Sequence, residues 1–82
     1  MSFTVYILHS ITTDRFYIGQ TKSLKDRLDR HNSRKVPSTK NGIPWKLIWS
    51  AEKPTRSEAV KLENRIKGRG AKRFIKDLEG KS

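Results

Sequence analysis

Tyr17, Arg27 and His31 bring a phenol, a guanidinium and an imidazole to the place where a strand passes into a helix. These are side-chain types that hold an anion and move a proton. Phe16, Tyr17 and Ile18 are aromatic or β-branched and begin a strand, and Gly19 lets the backbone turn there without a Cβ penalty. Ser23 is the expected N-cap of the helix that follows. Asp26 lies near its positive first turn, and Leu24 and Leu28 recur at helical spacing. Positions 24, 27, 28 and 31 share one face, so Arg27 and His31 stand beside the leucines that pack inward. A helix that needed only solubility would carry those two groups on its far side.

Glu63 is the most informative carboxylate. It falls on the apolar face of a later helix defined by Ala59, Leu62 and Ile66, and buried acids are rare unless they are paired or bind a cation. Each of these residues also has an ordinary structural reading. Tyr17 can be a half-buried core residue with its hydroxyl at the rim, and Arg27 can lie along the apolar seam with its head in water. His31 can serve the helix C-terminal dipole, and Glu63 can pair with Arg27 or a nearby lysine.

With 82 residues and 33% of them hydrophobic, the chain is expected to form one small domain over residues 1–80, fraying at 81–82. Cysteine is absent, which removes disulfides, thiolate zinc sites and cysteine nucleophiles together and is compatible with a reducing cytosol. The apolar run from Phe3 to Leu8 is too short for a signal peptide or a membrane span, so a soluble, cytoplasmic protein is expected. Lys and Arg number 19 against 8 Asp and Glu, a net charge of +11. Self-repulsion of that size points to a polyanionic partner, nucleic acid first. A membrane surface fits less well, because no basic segment has a strong apolar face. The candidate phosphate-contacting cations are Lys22, Arg34, Lys35, Lys40, Arg65 and Lys67.

In chain order, Phe3 to Leu8 reads as a strand buried on at least one face and Phe16 to Thr21 as its antiparallel hairpin partner, with Tyr6 and Tyr17 able to share a face. Asn32 to Pro44 reads as a surface loop, and Trp45 to Ser50 as a third strand whose alternation puts Trp45 and Trp49 together in the core. Thr55-Arg56-Ser57-Glu58 has the pattern of a capping box before the helix that bears Glu63. Gly68 and Gly70 interrupt that helix, and Ala71 to Leu78 forms a last one.

With these residues placed, the chain resembles the GIY-YIG nuclease family over most of its length. Thr4-Val5-Tyr6 stands where that family has Gly-Ile-Tyr, ten residues separate Tyr6 from Tyr17, and Tyr17-Ile18-Gly19 is the second triplet verbatim. Arg27 falls ten residues after Tyr17 as the family's arginine does, His31-Asn32 follows as in small single-domain members, and Glu63 takes the place of the metal-binding glutamate. The departures are Thr4 for the first glycine, Gln20 where the excision-repair branch often has lysine, and no clear counterpart of a late asparagine. Asn64 adjoins Glu63 and points about 100° away from it.

The resemblance implies an α+β fold, a three-stranded antiparallel sheet flanked by helices in the order β-β-α-β-α-α. It also implies a metal-dependent endonuclease that hydrolyses DNA phosphodiester bonds, in repair or in processing structured DNA. Arg27 would stabilise the transition state and Glu63 would hold Mg²⁺ or Mn²⁺. Tyr17 or Tyr6 would orient or deprotonate the attacking water, its hydroxyl made more acidic by the arginine and metal, and His31 would assist proton transfer. A further protein is expected to supply substrate specificity. The alternative is a nucleic-acid-binding module of the same fold that cuts little or not at all.

Overall fold

The computed structural model describes residues 2–33 and 39–80. The element order is β1 (Phe3–Ser10), β2 (Phe16–Thr21), α1 (Leu24–Asn32), a 3₁₀ turn (Lys40–Gly42), β3 (Trp45–Lys53), α2 (Arg56–Arg69) and α3 (Ala71–Glu79). The three strands form one antiparallel sheet in the order β2-β1-β3, which is the architecture the resemblance implies. With β1 in the centre, its run Val5–Leu8 is buried on both faces, and this is why it reads as continuous apolar sequence rather than as alternation.

The two faces carry different layers. Val5 and Ile7, with Phe3, Phe16, Ile18 and Trp49 around them, pack against Ala59, Leu62 and Ile66 of α2 and Ala71, Phe74 and Ile75 of α3. Tyr6 and Leu8, with Tyr17, Trp45 and Leu47, pack against Leu24 and Leu28 of α1 and against Ile43. Tyr6 and Tyr17 do share a face.

Trp45 and Trp49 do not. Ile7 pairs with Trp49 but Leu8 pairs with Leu47, so Ile48 is an extra residue in β3 and the strand's alternation inverts across it. Trp45 therefore faces α1, while Trp49 meets Phe74 edge-on at 4.9 Å on the opposite face. A bulge leaves no mark in apolar periodicity when both flanking halves alternate correctly.

Gly19 does not end β2, which continues through Thr21, with Gly19 opposite Tyr6. Ser23 occupies the N-cap of α1, but its hydroxyl makes no capping bond; its N–H donates instead to Thr21 Oγ1 at 3.2 Å. Thr55 caps α2 as the sequence indicates, its hydroxyl accepting from the Glu58 N–H at 3.2 Å. Gly68 is absorbed within α2, and the chain turns at Gly70, whose φ of 94° only glycine adopts without strain. Asn32 belongs to the end of α1 rather than to the loop.

Candidate active site

The site grows from the central strand outward. The Tyr6 side chain leaves β1, crosses β2 over Gly19 and is 2% exposed. A Cβ at residue 19 would lie 2.7 Å from the Tyr6 hydroxyl and 2.9 Å from its Cζ, so the glycine is required for room and not for a turn. The Tyr6 hydroxyl is 3.2 Å from His31 Nε2, and His31 Nδ1 is 3.0 Å from the Thr39 hydroxyl. Neutral imidazole donates at one nitrogen and accepts at the other, so the two hydroxyls complete it.

This buried polar chain is braced from outside. The Trp45 indole N–H donates to the Thr39 carbonyl at 2.6 Å, and the Asn32 amide clamps Trp45 by accepting from its N–H at 2.6 Å and donating to its carbonyl at 3.1 Å. Thr39 was not singled out from sequence, and Asn32 was marked only as the neighbour of His31 in the resemblance; a short polar residue flanking a loop carries no distinctive pattern of its own.

Burial, then the neighbouring Tyr17, pushes the Tyr6 hydroxyl well above its ordinary pKa; the Arg27 guanidinium pulls it back and the Glu63 carboxylate pushes it further up. With the protein's own groups alone, desolvation outweighs the arginine and the Tyr6 phenol is less acidic than an ordinary tyrosine. Burial, and after it the charge of Arg27, lowers the pKa of His31, which is 1% exposed and stays neutral. Neither Tyr6 nor His31 reaches the surface where a substrate could touch it.

Tyr17 does. Its ring lies beside Tyr6, stacked at 6.3 Å, and 4.6 Å from His31, with Trp45 edge-on at 6.4 Å. It is half-buried, and among the described residues its hydroxyl has no hydrogen-bond partner, whereas no buried polar side-chain atom lacks one. Its oxygen is thus open to solvent.

Arg27 is half-buried on α1 and Glu63 half-buried on α2, on opposite sides of the β2 edge, and the charges of both bear on Tyr6. Glu63 Oε2 accepts from Lys67 Nζ at 2.6 Å, one helical turn along. Among the described residues, no group of three or more His, Cys, Asp or Glu side chains could hold a metal ion.

Among the described residues, the candidate phosphate-binding cations do not form one patch. Lys22 lines an open groove with Arg27, Arg30 and Arg56. Arg65 lies on another side of α2, beside Lys53 and Lys61, and Lys67 is engaged with Glu63. Lys40 is exposed in the 3₁₀ turn, and Arg34 and Lys35 lie outside the described residues. Arg30 and Arg56 were missed because a charge on an exposed helix position looks like any solvated residue.

The fold is a small α+β domain with a solvent-facing phenol, and with a guanidinium and a carboxylate whose charges act on the buried phenol beside it. The family model of the GIY-YIG catalytic domain matches residues 2–76, and the chain belongs to that family, a family of nucleases whose substrates are nucleic acids. The structure is similar to the solution NMR structure of the UPF0213 protein BH0048 from Bacillus halodurans, with 25% identity and a TM-score of 0.59, covering 96% of this chain and 84% of that one. No curated protein matches the chain. Among the described residues, no helix is long and apolar enough to cross a membrane.

Proposed function

We propose that this domain is a divalent-metal-dependent endonuclease that hydrolyses DNA phosphodiesters, with structured or damaged DNA as its substrate and a partner protein contributing specificity. The observation that carries the proposal is the joint action of Arg27 and Glu63 on the buried phenol next to Tyr17. That shared influence supports reading the cation, the anion and the solvent-open hydroxyl of Tyr17 as parts of one site. The absence of cysteine suits a cytoplasmic location.

Tyr17 orients the attacking water, because its hydroxyl is the phenol that meets solvent. Arg27 donates to the non-bridging oxygens of the phosphate and offsets the charge that builds in the pentavalent transition state. Tyr6 and His31 act from behind, keeping Tyr17 in place through ring contacts. Glu63 offers one hard oxygen donor, which fits Mg²⁺ or Mn²⁺, ions that keep several waters and take the rest of their shell from phosphate. Such an ion, when bound, supplies Lewis-acid neutralisation of the phosphate.

The test is cleavage of branched, nicked and single-stranded DNA with Mg²⁺, Mn²⁺ or EDTA. Cleavage should require metal and fall at least about 100-fold in Arg27→Ala and in Glu63→Ala. Cleavage untouched by Glu63→Ala would overturn the assignment. The Lys67 ammonium on Glu63 favours a second reading, a binding module of this fold whose carboxylate is kept neutralised. Tight DNA binding without metal-dependent cutting is its signature.

A further inference from the structure

We propose that the groove walled by Lys22, Arg27, Arg30 and Arg56 binds a phosphodiester of the substrate strand adjacent to the one that is cut. The proposal rests on the nuclease reading for the identity of its partner. The groove, of about 380 Å³, opens between the end of β2, the first two turns of α1 and the start of α2. Four cationic side chains face one carboxylate there, that of Asp26. Among the described residues, none of the four is in an ion pair, whereas Glu63, Asp77 and Asp14 are engaged with Lys67, Arg69 and His9 elsewhere.

The cations are also mounted rather than loose. Lys22 Nζ and Arg56 Cζ each lie 5.6 Å from the centre of the same Phe3 ring. A cation–π contact orients a charge without neutralising it. Lys22 and Arg56 also line the same groove, so like charges gather there and an anion bound in the groove relieves their repulsion. Arg30 adds a planar fork that matches phosphate geometry.

Position supplies the direction. Arg27 belongs both to this groove and to the electrostatic neighbourhood of Tyr6 and His31, so a strand whose scissile phosphate lies at Arg27 runs on into the groove with its next phosphate. The groove offers no aromatic face for a base, since no aromatic side chain lines it. It therefore takes backbone and reads no sequence.

The experiment is fluorescence anisotropy of a labelled DNA oligonucleotide in EDTA, where binding is read without cleavage, across about 50 to 200 mM salt. Arg30→Gln/Arg56→Gln is compared with Lys72→Gln/Lys76→Gln, an equal loss of charge on α3, and thermal melts confirm that both fold. The slope of log affinity against log salt should fall by about two in the groove variant, with at least tenfold weaker binding, and Arg30→Lys/Arg56→Lys should restore the slope. Equal losses in the groove and α3 variants would overturn the proposal, as would absence of salt-dependent binding by the unaltered protein. If the groove variant behaves as expected but the unaltered protein never cuts with Mn²⁺, the nuclease reading fails and the groove stands. If the protein cuts but the groove variant binds normally, the groove alone fails.

Discussion

The phenol of Tyr6 lies across Gly19 so closely that any side chain at residue 19 would drive a Cβ to 2.7 Å from the phenol oxygen and 3.2 Å from Cε1 of Tyr17. Both aromatic rings of the site thus depend on one missing methyl. Gly19→Ala should destabilise the fold by about 1–3 kcal/mol through overpacking and displace the two tyrosines, abolishing cleavage. Urea midpoints and the cleavage assay check this, and an unchanged midpoint would contradict it.

The two tyrosines should separate by phenotype. Tyr6→Phe leaves a buried His31 nitrogen without its partner, a loss of about 1–3 kcal/mol, yet keeps the ring against Tyr17 and most of the cleavage. Tyr17→Phe removes a hydroxyl that faces water, with a stability change within about 0.5 kcal/mol but cleavage lower by about 100-fold or more. The reverse pattern in paired melts and rates would exchange their roles.

His31 makes stability pH-dependent in one direction. Its folded pKa lies below its unfolded value of about 6.5, so as pH falls the unfolded chain binds the proton first. Stability should drop from about pH 6.5 downward, by up to about 1.4 kcal/mol per pH unit, and level off once the folded pKa is passed. Asp14 acts in a lower window. Its hydrogen bond from His9 holds the carboxyl below its ordinary value, so its contribution is lost only as pH falls past about 4. Urea midpoints from pH 8 to 5 should decline in the parent and stay flat by comparison in His31→Asn.

Lys67 competes for the carboxylate that would receive the metal. The ammonium is half exposed, so the contact is worth about 0.3–0.5 kcal/mol and Lys67→Met should lower the half-saturating Mn²⁺ concentration by about twofold. A Mn²⁺ titration of cleavage reads this out. A rise in that concentration would instead make Lys67 a contributor to metal or phosphate binding.

The sheet and its helices were legible because their signals are local. Thr55-Arg56-Ser57-Glu58 announces a helix start, and Phe3 to Leu8 announces a strand buried on at least one face. Spacing picked out residues that bear on one another: Tyr17 and His31 contact the Tyr6 ring, and the charges of Arg27 and Glu63 act on its hydroxyl. Their division of labour was not legible, since depth decides it. Nothing in residue type tells that Tyr6 and His31 lie beneath the surface while Tyr17 opens on it. The purpose of Gly19 was equally hidden, because room beneath a side chain and freedom to turn leave the same letter.

Ile48 deserves its consequence. By adding one residue opposite the Ile7–Leu8 step, it lets a single strand send an indole into each of the two helical layers, Trp45 toward α1 and Trp49 toward α3. The strand works as a rivet driven through the sheet, fastening the layer that holds Tyr6 and Tyr17 to the layer that bears Glu63. Take out that one residue and both heads of the rivet fall on the same side.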